Sequence, residues 1–264
     1  MRFVKGHGTE NDFVLIPPDE DIHLTEDVVR ALCDRRRGIG ADGVLAVVRT
    51  DDSDDVRWFM DYRNADGSIA EMCGNGIRVF ARYLVTQGYE QPGHLRIGTR
   101  AGVKQVDVSA DGDITVDMGT AERLDDAKVT IDGTTYDARG WSMGNPHLVA
   151  LDVADVASVD LTSAPVIEHA GAFADGANVE VVEQLGPCHI RMRVLERGVG
   201  ETRSCGTGAC AAAVAAMDVA DVRTTYIVDV PGGRLMVDWR PDGRVFLTGP
   251  AVLVALGETD VSPA

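Results

Sequence analysis

Several things are scarce in this chain, and each shortage removes a class of function. Positive charge is in deficit: 25 Lys and Arg stand against 42 Asp and Glu, a net charge of −17. Nucleic acid is therefore not an expected partner, because phosphate binding needs clustered Lys and Arg. The acidity reads as a solvated surface. No stretch approaches the roughly 20 apolar residues of a membrane helix, so no membrane partner is expected. The opening MRFVKGHGTENDF has no apolar run, and a signal peptide is not expected. Five cysteines, an odd number without paired spacing, do not make a secreted disulfide framework. Free thiols in a reducing cytoplasm follow. Cys-x-x-Cys is missing, as are close-spaced zinc ligand pairs and the glycine loops of nucleotide sites, so no metal site is expected.

What is present supports a full core. Hydrophobic residues make up 45% of the 264 residues, enough for one large domain or two smaller ones. The chain is organised around LERGVGETRSCGTGACAAAVAAM, residues 195–217. A strand pattern at 190–196 leads into a Gly-, Ser- and Thr-rich loop at 197–208 and then an apolar, Ala-rich helix at 209–217. Cys205 sits at the loop-to-helix junction, where the positive end of the helix dipole favours a thiolate. The backbone N–H groups of Gly206, Thr207 and Gly208 can face an anion. An activated thiol beside an anion cradle is the expectation.

The device occurs twice. EMCGNGIRVFARYLV places Cys73 before Gly74-Asn75-Gly76, and Cys-Gly-x-Gly-x-x-x-x-Ala fits both Cys73 to Ala81 and Cys205 to Ala213. The cysteines are 205 − 73 = 132 positions apart, half the chain. Asn64 lies nine before Cys73, and Glu196 nine before Cys205; Asn11 lies 62 before the first and Asn145 60 before the second. Asn11 and Asn145 each also lie near a Gly and a His, Gly8 and His7 before the first, Gly144 and His147 around the second, and the four matches indicate a duplication that gave two half-sites. Each half reads as many strands plus one apolar helix, and a helix that apolar needs cover on all sides. The predicted fold is α+β: two pseudo-symmetric lobes, each a curled mixed or antiparallel sheet wrapped around a central helix, with the active site in the cleft. The expected lobes are 1–118, carrying Cys73 and joined by a returning 251–264, and 119–250, carrying Cys205. Other expected elements are a helix from Glu26 to about Arg36 capped by Thr25, a loop holding His7, Asn11 and Asp12, a charged turn at 51–55, a hairpin turn at 110–113, and a short helix within 153–161.

Two thiols on matched half-sites suit a reaction needing acid and base on opposite faces of one atom, such as racemisation of a carbon acid: one thiolate takes the proton and the other thiol returns one. The developing carbanion needs electrostatic help, which the glycine cradles can give to the α-carboxylate. A cysteine hydrolase would leave the second motif without a purpose, and a non-catalytic amino-acid binder would need the cradles without the thiols. Cys33, Cys188 and Cys210 lack such a setting and read as core or incidental. His147 and Glu196 can each tune a thiol. Both sulfurs serving one carbon would lie roughly 7 Å apart with substrate between them, and a modest closure without substrate would allow oxidation to a Cys73–Cys205 disulfide, reversible by a reductant.

At these residues the chain resembles the cofactor-independent amino-acid racemase and epimerase family that includes the diaminopimelate epimerases. The likeness rests on FVKGHGTENDF, GIGADG, RNADGS, EMCGNGIR, SMGNPH, ERGVGETRSCGTGACAA and VPGGRL, nearly end to end. The resemblance implies conversion of LL- to meso-diaminopimelate in lysine and cell-wall synthesis, without cofactor or metal, by a homodimer. It implies Cys73 as donor and Cys205 as acceptor from the LL side, and His147 and Glu196 as modulators of thiol acidity. Asn11, Asn64, Asn145, Asn178, Glu196 and Arg197 would be substrate ligands, with Gly74-Asn75 and Gly206-Thr207 as carboxylate cradles. Gly43 stands where many members carry Gln. A proline racemase type of enzyme shares the two-thiol logic and is the alternative.

Overall fold

Alternating burial defines most of the strands, and two apolar helices supply what the strands close over. A computed structural model of the protein describes residues 1–50, 56–110, 112–168 and 171–260. The expected charged turn at 51–55 and Asp111 of the expected hairpin turn lie outside the described residues. The chain divides into two compact units, Met1–Val116 with Gly249–Ala264, and Asp117–Thr248.

The first unit contains β1 (Arg2–Gly8), β2 (Asn11–Ile16), α1 (Glu26–Cys33), β3 (Gly43–Arg49), β4 (Trp58–Asn64), α2 (Gly74–Thr86), β5 (Gly93–Thr99), β6 (Gly102–Val108) and the start of β7 (Ile114–Thr120). In the second are β8 (Glu122–Arg123), β9 (Ala127–Ile131), β10 (Thr134–Ser142), β11 (Pro146–Ala150), β12 (Val166–Glu168), β13 (Asn178–Gly186), β14 (His189–Glu196) and β15 (Gly200–Thr202). It continues through α3 (Gly206–Val219), β16 (Thr225–Val230), β17 (Gly233–Trp239) and β18 (Arg244–Gly249), after which β19 (Val252–Glu258) returns to the first unit and pairs antiparallel with β1.

The duplication is explicit in the strand pairing. From β19 through β1, β2, β3, β4, β5 and β6 to β7, neighbours pair antiparallel, antiparallel, parallel, antiparallel, parallel, antiparallel, antiparallel. From β9 through β10, β11, β13, β14, β16 and β17 to β18 the same series recurs. Thus β2 corresponds to β11, β3 to β13, β4 to β14 and α2 to α3. Each parallel step needs a crossover, and the crossover from β4 to β5, like that from β14 to β16, is the apolar helix. Helix α2 touches β1, β2, β3, β4, β6 and β19, and α3 touches β10, β11, β13, β14, β16 and β17. Ala209 to Ala215 are completely buried in α3. Small side chains let a sheet close on every face of that helix, and their helix propensity offsets the missing bulk.

Local chemistry moves several boundaries from those expected. The loop carrying His7, Asn11 and Asp12 is only a two-residue turn, Thr9 and Glu10 at φ 49° and 62°, and His7 and Asn11 belong to paired strands. Helix α1 stops at Cys33 because the Asp34 carboxylate accepts from the backbone N–H groups of Arg36 and Arg37, turning the chain away. The Thr25 cap is present, accepting from Val28 N–H at 3.3 Å. The loop before Cys205 contains the short strand β15, paired with β14. The expected helix within 153–161 is a single 3-10 turn, Val156–Ser158.

Candidate active site

Both cysteines cap their helices in the same way. Cys73 precedes α2 with extended backbone (φ −140°, ψ 123°), and its sulfur accepts from Gly76 N–H at 3.4 Å. Cys205 precedes α3 (φ −123°, ψ 117°), and its sulfur accepts from Gly208 N–H, also at 3.4 Å. The strand-like residue followed by a glycine-rich first turn is what frees those N–H groups to face the sulfur rather than a carbonyl.

In the first unit the Cys73 thiol donates to Asn11 Oδ1 at 3.6 Å, and Asn75 Nδ2 donates to the same oxygen at 3.1 Å. Asn11 presents its oxygen because its Nδ2 is held by Asp42 Oδ2 at 2.7 Å. Asp42 also accepts from Asp12 N–H and from Arg35, which in turn bridges to Asp12. Lys5 pairs with Asp12 at 2.6 Å. These cations and the Asp42 contact hold the Asp12 carboxyl far below the usual carboxylate range, against the opposing effect of burial. Asn64 ends β4 opposite Gly43, so it lies at the same end of the sheet as Asn11, and it donates to Ser68 Oγ at 3.0 Å. Behind Asn75, the fully buried Arg78 donates to Asn75 Oδ1, to Gly74 O and to Thr9 Oγ1. A Cβ at Gly43 would meet Arg63 O at 2.6 Å and the Tyr62 ring at 2.8 Å, so the strand pairing and that ring already fill the space a side chain would need.

In the second unit His147 and Asn178 are register partners on β11 and β13. His147 is completely buried, its Nε2 3.1 Å from Asn145 Oδ1 and its Nδ1 2.7 Å from Glu180 Oε1. Asn178 Oδ1 accepts from Arg197 N–H at 2.9 Å, tying the two expected ligands together. The Arg197 guanidinium is turned to the carbonyls of Asp175 and Gly176. Glu196 accepts from Thr202 Oγ1 on β15. Thr207 Oγ1 lies 3.4 Å from the Cys205 sulfur.

The expected thiolate at Cys205 is corrected by its surroundings. Burial pushes the thiol well above its usual range, and the charges of Glu196 and Glu180 push the same way. The Thr207 and Gly208 hydrogen bonds act in the opposite direction and are outweighed. Desolvation of a sulfur anion exceeds the help of one helix end. Burial likewise pushes Cys33 up to about 12, and Cys210 is fully buried; neither has the setting of the pair.

Sequence reasoning missed Glu180, Asp42 and Arg78. Glu180 had a signal, an acid interrupting the apolar run of NVEVV. Arg78 had one as well, a cation between Ile77 and Val79 on an apolar helix. Among the described residues no cluster of His, Cys, Asp and Glu could hold a metal ion.

Comparison with known proteins adds sequence and fold relatives. The family model described as diaminopimelate epimerase matches residues 3–124 and 141–254. A diaminopimelate epimerase of Streptomyces coelicolor is 53% identical, covering 98% of this chain and 96% of its own. One of Thermobifida fusca is 51% identical, with 99% of both chains covered. Among solved structures, a predicted epimerase from Pseudomonas aeruginosa superposes with a TM-score of 0.75 at 15% identity over 99% of both chains. A probable proline racemase from Agrobacterium radiobacter gives 0.71 at 13% identity, covering 99% of this chain and 93% of that one. At such identities the structural likeness is one of fold.

Proposed function

The chain belongs to the diaminopimelate epimerase family, and we propose from this that it is an isomerase interconverting LL- and meso-2,6-diaminopimelate with Cys73 and Cys205 as its proton-transfer groups. The observation that carries the reading is the matched pair of cysteine caps, one on the equivalent helix of each duplicated unit. A two-base epimerisation needs the pair of thiols to hold one proton between them. From the LL side the Cys205 thiolate takes the α-proton and the Cys73 thiol supplies one to the opposite face; in return the roles exchange. The Cys73 sulfur lies 3.6 Å from Asn11 Oδ1, an acceptor for its thiol form. The base role of Cys205 uses its thiolate form.

The remaining assignments follow the polarity of each group. Backbone N–H groups at Gly74-Asn75 and Gly206-Thr207 stabilise the α-carboxylate and the charge that develops beside it. Asn11, Asn64, Asn145, Asn178, Glu196 and Arg197 bind the two amino-acid ends, with Glu196 and His147 tuning Cys205. The reaction serves lysine and peptidoglycan precursor synthesis in the cytoplasm, by a homodimer. No helix among the described residues is long and apolar enough to cross a membrane.

The test is incubation of purified protein with LL-diaminopimelate in D₂O without added cofactor. Mass spectrometry should show one α-deuterium per inverted centre, and proline and lysine should react far more slowly. Absence of exchange, or equal efficiency with proline, overturns the assignment.

A further inference from the structure

The two units repeat one scaffold, and they differ in what backs each thiol. In the first unit Phe13 on β2 is the register partner of Gly43, with Leu45 two residues further along β3. A Cβ built on Gly76, third after Cys73, would have Leu45 Cδ2, Phe13 Cζ and Cys73 Cβ each at 3.4 Å. In the second unit the same register sets His147 on β11 beside Asn178, with Glu180 two residues further along β13. A Cβ on Gly208, third after Cys205, would have Glu180 Oε1 at 2.6 Å and the Cys205 sulfur at 3.3 Å. Phe13, Leu45, His147 and Glu180 are all completely buried. An apolar pair and an ionisable pair therefore occupy equivalent places behind the two thiols.

The apolar pair demonstrates that this scaffold packs without charge at that place. Burying two ionisable side chains where hydrophobic ones fit is costly, and here the pair is not even fully satisfied. Glu180 Oε1 has the His147 Nδ1 contact at 2.7 Å, while Oε2 is buried with no hydrogen-bond partner among the described residues. Glu180 Oε1 and Asn145 Oδ1 are both acceptors, so Nδ1 faces the first and Nε2 the second as donors. We propose that Glu180 is a positioning residue that sets the two half-sites apart: it fixes the His147 ring with Nδ1 as donor and sets a carboxyl oxygen against the first turn of α3, behind the Cys205 sulfur. Half-site one presents a donor thiol against a neutral backing.

Every element packed on α3 bears on this balance. His147 comes from β11, Glu180 from β13 and Glu196 from β14, while α3 itself carries Thr207 and the buried Cys210. Arg139 of β10 pairs with Asp218 at the other end of the helix. Strands β16 and β17 bury Tyr226, Val228, Leu235 and Val237.

The test is alkylation of the full chain by iodoacetamide across pH, with Cys205 followed by peptide mass mapping. Two variants remove the charge: Glu180→Gln, and the double variant His147→Phe with Glu180→Leu, which copies the pair of the first unit. In both, the Cys205 midpoint falls by roughly half a pH unit or more, and alkylation below the midpoint quickens by about threefold or more. Glu180→Asp keeps the charge and stays near the native midpoint. The alkaline limb of kcat/KM moves down with the same two variants. In native protein, proton NMR shows a downfield Nδ1-bound His147 proton, identified by its loss in His147→Phe. An unmoved Cys205 midpoint in a charge-free variant with native near-ultraviolet circular dichroism overturns the proposal, as does an equal shift in Glu180→Asp. So does a native His147 ring protonated on Nε2 alone, a measurement that stands even where a variant fails to fold. The inference rests on the two-thiol reading, but alkylation and NMR need no substrate, so its failure is separable from failure to epimerise.

Discussion

At the scale of single residues, the chemistry turns on how a buried sulfur is charged. In the proposed two-thiol mechanism the one-proton form of the pair is the active one, so kcat/KM should follow a bell in pH whose limbs belong to the pair. Burial, Glu196 and Glu180 all hold the Cys205 proton. The alkaline limb, where the second proton leaves, should therefore lie above the ordinary thiol value of about 8.5. Glu196→Gln removes one raising charge and should bring that limb down; steady-state rates across pH check it. Cys73→Ala and Cys205→Ala should each abolish turnover while binding partly survives, as read by calorimetry with diaminopimelate. Arg78 raises a question of stability. Arg78→Met strips buried donors from Gly74 O, Asn75 Oδ1 and Thr9 Oγ1, and unfolding in urea should show a loss of about 3 kcal/mol or more. Asp12 supplies a pH dependence of known sign. Its carboxyl is depressed by Arg35 and Lys5, so its contribution is full above about pH 4 and is lost as pH falls through the lowered native value. Asp12→Asn should cost stability at neutral pH and converge with the native protein in strong acid.

At the scale of elements, the two helices make a controlled comparison. Gly76 leaves ordinary contact distances of 3.4 Å around an added methyl, whereas Gly208 meets Glu180 Oε1 at 2.6 Å. Gly76→Ala should be neutral or stabilising by up to about 1 kcal/mol, the helix propensity gain. Gly208→Ala should destabilise, because the obstacle is a fully buried carboxylate that has little room to move. Thermal melts of the two variants decide this, and equal responses would count against the packing described. Ala212 lies in the middle of α3 with no exposure. Ala212→Leu should overpack the closed sheet at a cost of about 1–3 kcal/mol. The alanine run and the capped junctions at Cys73 and Cys205 could be read from pattern because helix propensity and capping are local. The early end of α1 could not, since it depends on Asp34 choosing the N–H groups of Arg36 and Arg37 over continuing the helix.

At the scale of the whole molecule, duplication is the organising fact. The repeated series of parallel and antiparallel pairings places β9 in the second unit where β19 stands in the first. Thus β19, which follows the β17–β18 hairpin, completes the series of the first unit, and β9, which follows β7 and the two-residue β8, completes that of the second. Such a swap ties the termini of the chain into one unit, where Met1 N donates to Thr259 O at 3.0 Å. The homodimer proposed above is checked by sedimentation equilibrium across protein concentration, with a single species at twice 28.2 kDa as the expected result.

By itself the sequence determined the duplication, the two cysteines and their caps, and the α+β character. All of these are matters of spacing, propensity and residue type, and they act over a few turns or repeat at a fixed interval. Tertiary structure decided what the sequence could only name. It set Asn11 with its oxygen toward Cys73 through Asp42, 31 residues away, and set Glu180 behind Cys205 through strand register. It also raised that thiol's pKa where the helix end alone would lower it. A helix end favours a thiolate wherever it occurs, but the penalty for burying the anion and the carboxylates around it belong to neighbours distant in the chain. Those neighbours exist only once the sheet has closed.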